Sequence, residues 1–229
     1  MNTLTPSIPH RFDFVEVATS DLASTQSLFE RLGFSATQEF NDDHLRQRLM
    51  IQGRIRVLLS SGKVGTYQND YLLKNGEGVC AIGYHVDSAK KALHHMRQAK
   101  SQVVQEFVNL ENDEMFLQSS AVLGPADIRI VFVTRSGAPH DVLAPFAPGF
   151  RKITNSNAAH EGIGMLTFSS ILGPDELGRV HLTFVCADCS KGAGIINQSG
   201  FSMVDKGAFL LPLFSGNKAA QLFLHLRNN

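Results

Sequence analysis

The chain has no tryptophan, only 3 cysteines in 229 residues, and no apolar run long enough to span a bilayer. Three thiols (Cys80, Cys186 and Cys189) are too few for a disulfide framework, which agrees with a reducing compartment. Apolar runs such as LQSSAVLG and GAFLLPLF fall well short of the ~18 residues a membrane helix needs. The opening MNTLTPSIPHRF carries no charged-then-apolar signal pattern. An excess of either charge is also missing. The 21 Lys and Arg balance 21 Asp and Glu, which argues against a nucleic-acid footprint. No nucleophile elbow, P-loop or dinucleotide glycine pattern occurs, so no nucleotide cofactor is expected. With 43% hydrophobic and 18% charged residues the chain is ordinary globular material. The expectation is a soluble, cytoplasmic protein with no membrane and no nucleic-acid partner.

What the chain does have is a recurring pattern. A strand-like run, a helix-like run and a second strand-like run appear at Phe12 (FDFVEVATSDLASTQSLFERLGFSATQEF), at Val79 (VCAIGYHVDSAKKALHHMRQAKSQVVQEF) and more loosely at Val180 (VHLTFVCADCSKGAGIINQSGFSMV). The spacing is too long for a solenoid and suits paired βαβββ units. In the first copy, Ser20 or Asp21 caps a helix with Leu22, Leu28, Phe29 and Leu32 on one face, and Gly33 ends it. In the second, Asp87 or Ser88 caps a helix with Ala89, Ala92, Leu93 and Met96 inward. Residues 62–78 contain four glycines and read as a connector, tied down by Tyr67 and Tyr71. The helix of the third copy, 190–198, is weakened by Gly192 and Gly194. The fold class expected is α+β, with paired βαβββ modules forming cupped mixed sheets. Two modules occupy 1–150, a linker with one strand spans 151–178, and a third, shortened module occupies 179–229. GAPHDVLAPFAPGF, rich in proline and glycine, marks the boundary between the halves.

FDFVEVATSDLASTQSLFERLGF, the MIQGRIRVLLSSG hairpin and GEGVCAIGYHVDSAKKA together resemble the N-terminal domain of bacterial 4-hydroxyphenylpyruvate dioxygenases. These belong to the vicinal-oxygen-chelate superfamily, with glyoxalase I and the extradiol dioxygenases. The resemblance covers about residues 12–137. It implies a structural N-terminal domain and a C-terminal domain that holds iron in a two-histidine, one-carboxylate triad. Such a triad leaves positions open for a 2-oxo acid and dioxygen. In the family, one histidine comes from the first strand of each C-terminal unit and the carboxylate from the last strand of the final unit.

Carried over by position, the first-strand ligand falls on Phe14 in unit one and Ala81 in unit two, neither of which can ligate. In unit three it falls on His181. The carboxylate position falls on His225, with Leu224 one residue away. The remaining first-strand position falls on Met165, with His160 shortly before it as the alternative. His181 and His225 are therefore the candidate metal ligands, for Fe(II) or another divalent ion. Each is otherwise a histidine bonded to a backbone carbonyl on a half-buried strand. Cys186 and Cys189 form a C-x-x-C with no second pair, a weak zinc signal. Cys80 reads as a buried apolar residue, His94 and His95 as a solvated helix face, and Asp127 and Arg129 as strand flanks.

The resemblance implies a dioxygenase-like protein with an incomplete triad that binds a small 2-oxo or aromatic acid without full dioxygenase activity. An active non-haem Fe(II) dioxygenase and a glyoxalase-like metal-dependent isomerase or lyase are the alternatives. The third unit has no complete partner unit in the chain, so a homodimer is expected.

Overall fold

Alternation of apolar residues extends β1 (Arg11–Ala18). Asp21 then turns the chain, its carboxylate accepting the N–H groups of Ala23 and Ser24, and α1 (Leu22–Arg31) follows. Leu22, Leu28 and Phe29 are its buried face, and Gly33, at φ 86°, carries the chain out in the left-handed region. The strands β2 (Ser35–Asn41), β3 (Leu45–Gln52) and β4 (Ile55–Gly62) form a meander, and β4 returns parallel to β1.

The glycine-flanked stretch expected to be a connector contains a helix, α2 (Tyr67–Asn75). Thr66 caps it and Gly76, at φ 80°, ends it. The second unit then repeats the first: β5 (Gly78–His85), α3 (Ala89–Gln98), β6 (Val103–Glu111), β7 (Phe116–Leu123) and β8 (Arg129–Arg135). A short strand, β9 (Arg151–Lys152), adds to the edge at β2. The nine strands run β6-β7-β8-β5-β1-β4-β3-β2-β9.

The computed structural model describes residues 11–136 and 144–153 and, beyond these, the backbone of five strands. The two units meet where β1 and β5 pair antiparallel, and the register there is two-fold symmetric about Val15↔Ile82. Phe14 faces Gly83 as Glu16 faces Ala81, and Phe12 faces Tyr84 as Val17 faces Val79. Even the bulges match, with Asp13 extra on β1 and Cys80 extra on β5. Such symmetry is the structural mark of the repeat.

Each face of this sheet carries its own core. Val15, Val17, Val57 and Leu59 pack under α1 with Leu28, Phe29 and Leu32. Phe14, Leu49, Leu58, Ala81, Val131 and Val133 line the opposite face and are covered by Phe146 and Ala147. Each of the valine, leucine and phenylalanine side chains, fully buried, contributes about 1.5–3 kcal/mol.

The five further strands are β10 (Met165–Leu172), β11 (Val180–Cys186), β12 (Ser202–Asp205), β13 (Ala208–Pro212) and β14 (Gln221–Asn228). They form a second sheet in the order β10-β11-β14-β13-β12. From β11 onward this is the order of unit one: first strand, parallel last strand, then outward through the meander. β10 lies antiparallel to β11, as β5 lies to β1. The helix expected over 190–198 falls outside the described residues, as do Cys189 and His160. No helix among the described residues is long and apolar enough to cross a membrane.

Candidate functional site

Two places could carry chemistry. The first is the five-stranded sheet. Its register pairs Thr183 with His225 and His181 with Phe223 on the parallel strands β11 and β14. Residues two apart on a strand lie on one face, so positions 181 and 225 share a face on neighbouring strands, one step out of line. On the other side, His181 pairs with Leu172 and Thr183 with Ser170. Met165, the sequence assignment for the other first-strand ligand, pairs instead with Cys186 at the far end of β10. Two register shifts cause this difference, because each adds a residue to β10 that the sequence alternation does not count. Ser170 on β10 pairs with Thr183, two residues beyond His181, as Ala81 on β5 pairs with Glu16, two residues beyond Phe14.

The second place is the concave face of the nine-stranded sheet. Here Phe14 and Ala81, the positions equivalent to first-strand ligands, belong to an apolar cluster with Leu58 and Val131. Gly83 lies under the Phe14 ring, so close that an added Cβ would fall 2.2 Å from Phe14 Cε1. The connector closes the face at one end. Phe146 meets Phe14 edge-on, with centroids 5.4 Å apart. Phe150 in turn packs on Phe146 and Phe40. The other end is closed by α2.

Both ends contain buried charge that the sequence did not reveal. At the connector end, Asp13 sits between Arg56, whose Nη1 donates at 2.7 Å, and Arg135, all less than a tenth exposed. Arg135 also donates to the Phe146 carbonyl oxygen. At the α2 end, Glu16 accepts from Arg129 at 2.9 Å, from Gln68 of α2 at 2.7 Å and from Gln47 at 3.4 Å. The Arg129 guanidinium lies 4.0 Å from the centre of the Tyr67 ring. Tyr67 donates its hydroxyl to the carbonyls of Cys80 and Asp127, and Lys74 pairs with Asp127 at 2.7 Å. Asp127 and Arg129 flank β8 and are half-buried, Arg129 against the buried Glu16 and Asp127 in a partly exposed pair with Lys74.

Burial holds the Tyr67, Tyr71 and Tyr84 phenols above their ordinary range, and pushes the Cys80 thiol well up, with the charge of Glu16 adding to it. A thiol of that kind is inert. His94 and Lys90, Lys91 and Arg97 of α3 are exposed, a solvated face. Among the described residues, no group of three His, Cys, Asp or Glu converges as a metal site would require.

The family model for hydroxyphenylpyruvate dioxygenase, N-terminal, matches residues 5–143. Among solved structures, a triple mutant of 4-hydroxymandelate synthase from Streptomyces coelicolor superposes with a TM-score of 0.52 and 10% identity, over 96% of this chain and 92% of that one. A xylose isomerase-like TIM barrel/4-hydroxyphenylpyruvate dioxygenase fusion protein superposes with a TM-score of 0.55 and 17% identity, over 98% of this chain and 33% of the other. At these identities the likeness is one of fold, and the fold is that of the vicinal-oxygen-chelate proteins. No curated protein matches the sequence.

Proposed function

The chain belongs to the hydroxyphenylpyruvate dioxygenase N-terminal family, whose model spans more than half of it, and from that premise we propose a binding protein rather than a full dioxygenase. The ligand is a small 2-oxo or aromatic acid. One observation carries this reading: the residues paired with positions 181 and 225 are Leu172, Phe223, Thr183 and Ala208, with no carboxylate among them. A facial triad for Fe(II) uses a carboxylate beside two imidazoles. Two neutral imidazoles alone do not complete that set, and Ser170 stands where a further first-strand ligand would be sought. The donors at these described positions therefore fall short of what the family's catalytic iron requires. His181 and His225 would hold a divalent ion, Fe(II) or another, as two ligands only.

Purified protein supplied anaerobically with Fe(II) is expected to bind 4-hydroxyphenylpyruvate in calorimetry, and to consume no more dioxygen than the H181A H225A variant. Its metal is expected to leave on dialysis against a chelator. Iron retained at one equivalent through that dialysis, together with dioxygen uptake on 4-hydroxyphenylpyruvate, overturns the proposal in favour of an active dioxygenase.

The same reading includes a homodimer. β10 ends the second sheet, whereas its counterpart β5 continues into β8. With no strand beyond β10 among the described residues, its edge is available for two-fold pairing with a second copy. A monomer in light scattering at micromolar concentration refutes it.

A further inference from the structure

Phe146 lies between Pro145 and Pro148 in the stretch 144–150, which contains no helix or strand. Its ring meets Phe14 edge-on, and the guanidinium carbon of Arg135 lies 4.7 Å from the ring centre. Arg135 Nη1 donates to the Phe146 carbonyl oxygen at 2.6 Å. Gln38 grips the backbone on both sides of Pro145: its Nε2 donates to Ala144 O at 2.9 Å, and the Phe146 N–H donates to its Oε1 at 2.8 Å. These polar contacts from Gln38 and Arg135 are made to main chain. The feature that enters the cup is an aromatic ring beside an oxygen held by an arginine.

We infer that the cup of the nine-stranded sheet is a binding site for a small aromatic carboxylate, in which Phe146 is the resident, exchangeable occupant. A free acid offers Arg135 the same ring and a better oxygen. Hydrogen bonds from arginine to an ionised acceptor are roughly twice as strong as those to a neutral carbonyl. The apolar bed exists already in Phe14, Leu58, Ala81, Val131 and Val133. Asp13 does not repel the incoming anion strongly, because Arg56 and Arg135 both pair with it. The connector sets the competition. A tethered group acts at an effective concentration on the order of millimolar, so a free acid binds weakly until the ring is removed. An acid that wins the site releases the connector between the two halves of the chain. The residues of this site are other than positions 181 and 225, and the site does not depend on a metal there.

The test titrates 3-phenylpropanoate into the full chain and its F146A variant, read by calorimetry and ligand-observed NMR. This probe has no 2-oxo group, so it cannot chelate a metal as a 2-oxo acid does, and the H181A H225A variant is expected to bind it unchanged. F146A is expected to bind at least tenfold more tightly than the natural chain and to prefer the acid over 3-phenylpropanamide at least tenfold. R135Q in the F146A background is expected to abolish that preference. In the natural chain, millimolar acid is expected to speed chymotryptic cleavage after Phe146. Equal affinity for acid and amide would mean an apolar hole only and overturns the inference, as does folded F146A that binds neither. Should F146A fail to fold by circular dichroism, Q38A takes its place. Loosening the backbone grip is expected to tighten acid binding, and an unchanged affinity overturns the inference.

Discussion

Replacing Gly83 by alanine tests the central packing of the cup. The new Cβ would stand 2.2 Å from Phe14 Cε1 and 2.3 Å from Cδ1, where carbon atoms in contact normally sit about 3.5–4.0 Å apart. The ring must therefore retreat by more than an ångström. It has nowhere to go: Phe14 is 7% exposed, and Phe146 closes its far side. Gly83 has an ordinary backbone conformation, so the cost is steric. Overpacking of this kind costs about 1–3 kcal/mol. For a chain of this size each kcal/mol lowers Tm by about 2–4 °C, so G83A should melt roughly 2–12 °C below the natural chain. The control is Phe14→Leu, which removes the clashing edge. F14L G83A is expected to be at least ~1 kcal/mol more stable than the sum of its two single variants, since contacting sites couple. Thermal melts and urea titrations followed by far-UV circular dichroism measure both. A G83A melt within a degree of the natural one, or strict additivity in the double variant, refutes the packing described.

Two other perturbations address the buried charges and phenols. Asp13→Asn leaves Arg56 and Arg135 buried against a neutral amide, and breaking a buried ion pair by removing one partner costs about 3–5 kcal/mol; a urea midpoint unchanged from the natural chain would contradict this. The alkaline limb of stability should follow the tyrosines. Burial raises the folded phenols above their unfolded value of about 10. The neutral form is favoured in the fold, so their contribution is fully present below pH ~10 and is lost as pH rises from there toward the folded values. The chain has 3 tyrosines and no tryptophan, so absorbance at 295 nm should stay flat through pH ~10 and rise together with unfolding. Tyrosinate signal that appears in the folded protein near its ordinary value would show the rings to be open to water.

The two N-terminal units were legible because alternation and caps agree. β1, α1, β5 and α3 lie where their apolar residues and their Asp21 and Ser88 caps set them. The α2 helix was hidden by its flanking glycines and by a largely polar sequence whose buried residues include Gln68. Asp13 and Glu16 are the acidic residues of β1, and both are buried. A period of two names the two faces of a strand, but it cannot say that a later segment will cover the second face. Here α2 and the 144–150 connector cover it, so Glu16 meets Gln68 and Arg129, and Asp13 meets Arg56 and Arg135. The register of β10 was hidden for another reason: two bulges shift which residue faces β11, and a bulge has no signature in alternation.

The symmetric register bears on why the first cup holds no metal ligands. Two-fold pairing about Val15↔Ile82 aims Phe14 and Ala81 at one cavity. The same geometry would bring two first-strand histidines toward one ion, so nothing in the backbone forbids a site there. The side chains forbid it. A phenyl ring at 14 requires glycine across the ladder at 83, and the ring then offers an edge on which Phe146 can dock. Docking of Phe146 requires a donor for its carbonyl, which Arg135 supplies, and Arg135 in turn requires Asp13. Reverting any one of these residues toward a ligand set leaves the others clashing or unpaired. An apolar cup with a paired arginine at one end is therefore a coherent state of this sheet.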